Sequence, residues 1–253
     1  AEGFAKGKGV DVSALRKEMI DGGEYVVADV HVIGKPTIAV LVDALPTYLA
    51  SIKFAKTMRW NSTGIAFSRP IRWLVALYDN AIVPFDYAGV TSGNVTHGLR
   101  PFGSLPQVVN DVMDYFDAMG KQGIALNMDE RREMIREQIT KLADEVGGII
   151  PDDPALMDEV VNLVESPTAL RGTFEEKYLR LPREVLITVM RKHQRYFPIQ
   201  DKNGDLMPYF IAVRNGDNQH LDKVAHGNEH VLRARFSDAN FFYSEDIEKP
   251  LAD

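Results

Sequence analysis

GNEHVLRARFSDANFFYSED, residues Gly227 to Asp246, is the densest signal in the chain. Leu232, Phe236, Ala239 and Tyr243 follow one another at steps of four, three and four, so they share one helical face. Asn228 is placed to cap the start, and Glu229 falls in the first turn, where the helix dipole favours a carboxylate. Arg235 and Asp238 are three apart and within ion-pair reach beside that face. Two readings stay open. One is a core-docking helix with Arg235–Asp238 as a structural ion pair. The other is a helix whose Asn228, Arg233 and Arg235 face a polyanion.

Around this stretch lies an ordinary globular composition. The chain has 253 residues, 45% hydrophobic and 26% charged, enough for one large domain or two small ones. It contains no cysteine, which excludes disulfides, thiolate metal sites and cysteine nucleophiles. No apolar run approaches the roughly 18 to 20 residues of a membrane span, and AEGFAKGKGV has no apolar signal core. The missing initiator Met and the ending LAD lead to the expectation of a piece excised from a longer chain. Net charge is −7, so any nucleic acid must be met by basic residues gathered on one face.

The pattern predicts a flexible lead over 1–9 and a short amphipathic helix from Val12 to Ile20, ended by Gly22-Gly23. Tyr25 to Ile33 reads as a strand. A helix follows Pro36 and should kink or restart at Pro46. Asn61 to Gly64 is a turn. Ile71 to Tyr78 and Ala81 to Tyr87 are antiparallel strands joined at Asp79-Asn80. Ser104 and Gln107 form a capping box for a helix through Met119, and Asn127 with Glu130 starts another. Asp153 to Glu165 and Arg183 to His193 are helices. Thr168 to Phe174, Tyr196 to Gln200 and Pro208 to Arg214 are strands, the last two joined by a hairpin over 201–205. Strands and helices are intermixed and the strand pairs are hairpins. The expected class is therefore α+β, with mixed or antiparallel sheets, packed helices and a closing connector helix. The expected organisation is one domain over 1–216 and a helical extension over 217–253.

Few catalytic patterns fit. His226 and His230 are four apart, but Gly227-Asn228 reads as a cap between them, so the pair is not expected to align, and no metal site is expected. There is no G-x-x-x-x-G-K-[ST], no G-x-G-x-x-G after a strand and no G-x-S-x-G. Basic clusters are more informative. One holds Arg180, Arg183, Arg191, Lys192, His193 and Arg195, running into Tyr196-Phe197. Another holds Lys53, Lys56, Arg59, Arg69 and Arg72, with Trp60 and Trp73 interleaved. Arginine beside aromatic rings suits phosphates and unpaired bases; the alternative is a core with a solvated charged rim. For Arg69 and Arg72, at the entry to a buried strand, structural pairing is the favoured reading.

The order of motifs resembles a known family. MRWNSTGIAFSRPIRWLVAL, Met58 to Leu77, is similar to an M-R-W…F-x-R-P-[IV]-x-W block of the bacterial-type glycyl-tRNA synthetase β subunit. So are Thr96-His97-Gly98-Leu99-Arg100, Glu165-Ser166-Pro167 followed by Phe174 to Leu179, and Leu186 to Met190 followed by Gln194-Arg195-Tyr196-Phe197. Leu206 to Ile211 and the opening stretch complete a series covering 1–253. Arg72 and Leu99 depart from it, where many members carry His. The resemblance implies a B3/B4-like domain, similar to an editing domain of phenylalanyl-tRNA synthetase, with its last helix running towards an HD-like domain. It implies a non-catalytic part of a glycine-tRNA ligase, with ATP and Mg bound by the α subunit and no cofactor in this piece. Implied partners are tRNA(Gly), the α subunit and the remaining β-subunit domains, with no membrane or DNA partner. The implied location is the bacterial cytoplasm, or an organelle stroma or matrix in a plant or alga. Arg191, Lys192, Arg195, Arg233 and Arg59 become candidates for meeting tRNA, and Asn94, Thr96 and His97 for an editing pocket. A purely structural interaction module is the third reading.

Overall fold

The computed structural model describes residues 1–100 and 103–248. The chain forms two compact units, Ala1–Gly93 and Asn94–Asp253, so the expected boundary at 216 falls inside the second. The expected extension over 217–253 is described as far as Glu248; residues 249–253 lie outside the described residues. The fold is α+β.

In the first unit, α1 spans Glu2–Lys8, with Gly9 closing it in the left-handed region at φ 70°, where the sequence suggested a flexible lead. The predicted helix from Val12 is instead a single 3-10 turn, Val12–Ala14, followed by β1, Leu15–Ile20. β1 pairs antiparallel with β2, Gly23–Ala28, with Ile20 opposite Gly23. The reason is the Asp21-Gly22 turn. Both residues have positive φ, 51° and 82°, as a two-residue type I′ hairpin requires, and Asp-Gly is the strongest local code for it. That code overrides the weak helical spacing before it.

Helix α2, Thr37–Ser51, starts after Pro36 as expected and runs on through Pro46. Its Leu41, Val42, Leu45 and Leu49 pack on Val83, Phe85, Tyr87 and Ala88, and that apolar contact holds the helix across the missing amide. The expected long strand over 71–78 is broken into β3, Leu74–Val75, and β4, Leu77–Tyr78. β4 forms the expected hairpin with β5, Ala81–Ile82. β6, Asp86–Tyr87, is antiparallel to β7, Val90–Gly93, which runs parallel to β3. Buried Ser92 joins these layers: its Oγ donates to the Val83 carbonyl at 2.7 Å and accepts from the Phe85 amide at 2.9 Å.

The second unit begins with the ribbon β8, Val95–His97, and β9, Pro106–Val108. Ser104 and Gln107 therefore start no helix, because Gln107 pairs with Thr96 in that ribbon. Helix α3, Val112–Lys121, is capped by Asp111, which accepts from the Asp114 amide at 2.9 Å; Asp114 in turn accepts from the Asn110 amide at 3.0 Å. The reciprocal acidic box lies a few residues further on than the Ser–Gln pattern suggested. Helix α4, Met128–Asp144, has the expected Asn127 cap, and α5, Pro154–Leu163, is capped by Asp153.

The centre is an antiparallel sheet in the order β10, β12, β11: Pro167–Thr173, Leu206–Asn215 and Phe197–Gln200. Period-two alternation splits its side chains between two cores. Ala169, Ile211, Phe197 and Ile199 pack on Ile135 and Ile139 of α4 and on Leu156, Val160 and Val161 of α5. Leu170, Phe210 and Ala212 face the other way, towards α6, Arg183–Thr188, the π-helical turn Val189–Gln194 after it, and α7, Leu221–Glu248. Leu232 and Phe236 of α7 are fully buried there, and the Phe236 ring meets Phe174 edge-on at 5.0 Å. The sheet is thus the middle of three layers. Glycine is required at Gly172, where a Cβ would stand 2.3 Å from the Phe210 ring.

Helix α7 begins seven residues earlier than the sequence suggested. Arg214 holds the carbonyl of Gln219 at 2.9 Å, Asp217 accepts from the Gln219 amide, and His220 turns the chain at φ 54°. Leu221, Val224 and Ala225 then pack on the core, which outweighs the roughly 1 kcal/mol cost of Gly227 inside a helix.

Candidate nucleic-acid interface

Because α7 runs unbroken through Gly227, Asn228 caps nothing. Its Oδ1 accepts from the Tyr196 hydroxyl at 3.0 Å. Tyr196 is buried and stacked on Phe210 at 4.6 Å, and desolvation pushes its pKa up to about 12. Glu229 lies beyond the first turn and accepts from the amide and hydroxyl of Thr173 at 2.9 and 3.1 Å, tying α7 to β10. His226 and His230 do share a face of the continuous helix. Among the described residues, however, no group of three or more His, Cys, Asp or Glu side chains could hold a metal.

Arg235 and Asp238 are both exposed, and no ion pair joins them among the described residues, so the expected structural pair is absent. Two residues of α-helix turn through about 200°, so Arg233 and Arg235 point to opposite flanks of α7 and form no common face. Arg233 reaches Glu175 Oε1 at 3.5 Å. Glu175 also binds Lys177, whose ammonium together with Arg233 holds that carboxyl below its usual range.

Arg191 and Arg195 sit in and just after the π-helical turn, and both are engaged. Arg191 forms a two-pronged pair with Asp153: Nη2 donates to Oδ1 at 3.0 Å, and Nε donates to Oδ2. The same Asp153 Oδ1 accepts from the Leu156 amide at 3.0 Å, so one carboxylate caps α5 and clamps the π turn. The arginine holds the Asp153 carboxyl below its usual pKa against the opposing effect of burial. Arg195, in the left-handed region at φ 57°, donates from Nε to Glu159 Oε1 at 2.7 Å and from Nη1 to the Lys192 carbonyl at 3.1 Å. Lys192 is exposed. Sequence spacing could not have found these partners, because 38 and 36 residues separate them.

The candidate editing residues lie just before β8 and along it. On β8, Thr96 is buried at 3% exposure, while His97, next along the strand, points to the other side. His97 Nδ1 lies 2.8 Å from the Ser104 carbonyl. Asn94 is used through its backbone carbonyl, which accepts from the Val109 amide at 2.9 Å.

In the first unit, Arg59 is exposed and donates from Nε to the Gly64 carbonyl at 2.8 Å across the turn at Asn61. Asn61 anchors that turn by donating to the Ala88 carbonyl at 2.7 Å. Met58 and Phe67 exchange both backbone hydrogen bonds, at 2.9 and 3.2 Å, and the Phe54 ring packs on Phe67 at 4.6 Å. Lys53, Lys56, Arg69 and Arg72 flank these contacts and are all exposed. Among the described residues none of the four is in an ion pair. No Asp or Glu occurs between Asp43 and Asp79.

This α+β chain has relatives that share one description. It is 46% identical over 246 residues to the glycine-tRNA ligase beta subunit of Shouchella clausii, 97% of this chain and 35% of that protein. It is 45% identical over 252 residues to that of Moorella thermoacetica, 100% of this chain and 36% of that protein. The Listeria monocytogenes counterpart is 44% identical over 248 residues, 98% of this chain and 36% of that protein. The family model described as glycyl-tRNA synthetase beta subunit matches residues 1–253, and the chain belongs to that family. It spans about a third of the length of the curated relatives it matches.

Proposed function

We propose that this chain is a non-catalytic part of a bacterial glycine-tRNA ligase β subunit that supports tRNA(Gly) binding, while aminoacylation occurs on the α subunit. The observation that carries the reading is the match to the family along all of 1–253. ATP and Mg2+ then belong to the α subunit. The partners are that subunit, the rest of the β subunit and tRNA(Gly), in the cytoplasm. Engagement of Arg191, Arg195 and Arg233 by Asp153, Glu159 and Glu175 supports a scaffolding role for those three rather than direct phosphate contact. The opposite facing of Thr96 and His97 on β8 weighs against an editing hydrolase that uses both, because such a site needs groups converging on an ester and a water.

The test is reconstitution. Purified α and full-length β subunits are assayed separately and together for glycine-dependent ATP–pyrophosphate exchange and for tRNA(Gly) charging. The expected result is exchange that tracks the α subunit and charging that needs both. Exchange by the β subunit alone would overturn the reading. Deacylation of alanyl- or seryl-tRNA(Gly) by the β subunit, lost on His97→Ala, would replace it with the editing one.

A further inference from the structure

The two units divide the charge of this acidic chain unevenly. The first holds ten basic and nine acidic residues, and the second nineteen basic and twenty-seven acidic, so the whole net negative charge lies in the second. Within the first, the 35 residues between Asp43 and Asp79 carry Lys53, Lys56, Arg59, Arg69 and Arg72 and no carboxylate. The fold draws Lys53, Lys56, Arg59 and Arg69 towards one turn, and Arg72 follows Arg69 by three residues. The Met58–Phe67 backbone pairing and the Phe54–Phe67 ring contact draw the two arms of the segment together around the Asn61–Gly64 turn. Lys53 adjoins Phe54, Lys56 and Arg59 lie within two residues of Met58, and Arg69 lies two beyond Phe67. Asp86, which lines a shallow depression with Ile65, is occupied by the Thr91 hydroxyl.

Exposed cations without counter-charges repel one another, so charge within the fold gives no reason to cluster them. A polyanion does, because neutralising its phosphates releases counterions. We infer that the Lys53–Arg72 segment is an RNA-backbone-binding surface, with Lys53, Lys56, Arg69 and Arg72 meeting phosphates and Arg59 holding the turn that presents them. This rests on the proposed tRNA(Gly) role, and it moves the contact from the arginines of the second unit to the first.

Full-length β subunit carrying Lys53→Gln, Lys56→Gln, Arg69→Gln and Arg72→Gln, singly and together, is reconstituted with α subunit. Filter binding of a tRNA(Gly) transcript is followed across potassium chloride concentration. Each single change is expected to flatten the slope of log K against log salt by about one, and the quadruple variant by about four. Arg69→Lys and Arg72→Lys should keep the parent slope, and thermal unfolding should be unchanged throughout. The single variants carry the test if the quadruple one fails to fold. A parent complex that binds with a salt slope the variants fully retain overturns this inference and leaves the proposed function standing. A parent complex with no salt-dependent tRNA(Gly) binding overturns the proposed function itself. Variants that lose the α subunit while keeping the tRNA slope show a protein interface, and also overturn the inference.

Discussion

Arg191 and Arg195 of the second unit each meet a carboxylate on or capping α5, whereas Lys53, Lys56, Arg69 and Arg72 of the first meet none among the described residues. The surroundings differ in the same sense. The second unit packs two cores against the faces of one sheet, and its arginines fasten helices to that frame. The first unit has a smaller core around Val83 and Phe85, and no residue of α2 is fully buried. The lesson is that a basic run in sequence has two distinct fates. Where α5 brings carboxylates beside the arginines, the cations become fasteners; where no carboxylate is within reach, they stay available to an outside anion.

That contrast can be broken at graded levels. Phe236→Ala should be the most damaging change, costing about 3–5 kcal/mol by lost transfer and a cavity under Phe174 and Tyr178, read as the denaturant midpoint shift. If it costs under about 1 kcal/mol, α7 is not docked as described. Next, Asp153→Ala removes an α5 cap and the Arg191 clamp together and should cost about 1–3 kcal/mol at neutral pH.

The Asp153–Arg191 pair has a definite pH sign. The folded pKa of Asp153 lies below its unfolded value of about 3.8, so its stabilisation is fully present above that value. It is lost as pH falls through the folded pKa. The stability gap between the parent and Arg191→Gln should therefore be wide at pH 7 and narrow below pH ~3.8, measured by unfolding at both.

Tyr196→Phe should cost about 1 kcal/mol by leaving the Asn228 amide oxygen short of a donor. Here the folded pKa is raised, to about 12, so stability from keeping the phenol neutral is present below pH ~10 and is lost as pH rises towards 12. Ultraviolet titration should show one tyrosine ionising last, and it should vanish in Tyr196→Phe. Smallest of all, Arg69→Gln and Arg72→Gln should change stability by less than about 0.5 kcal/mol. A larger loss would mean these arginines are fasteners too, and the contrast between the units would fail.

Much of the fold was legible locally. The Asn127 cap, the 201–205 hairpin, the Asp79-Asn80 turn and the strands that became β10 and β12 are written within a few residues each, and the structure carries all of them. The local reading failed where a stronger signal, local or tertiary, opposed it. Asp21-Gly22 won over helical spacing before it, and core packing of Leu221 and Val224 won over an apparent Gly-Asn cap.

The sequence by itself determined the α+β class, the buried stripe Leu232, Phe236, Ala239 and Tyr243, and the family, because periodicity, turn codes and motif order are properties of neighbouring residues. Only the tertiary structure decided which arginines are engaged. Asp153 and Arg191 are 38 residues apart, and nothing in either neighbourhood specifies the other until α5 and the π turn are brought to the same edge of the sheet. Charge pairing is a matter of distance in space, and the stretch Gly227 to Asp246 within α7 shows the same rule: its apolar face was readable from spacing, while Asn228 took its hydrogen-bond partner, Tyr196, from 32 residues away.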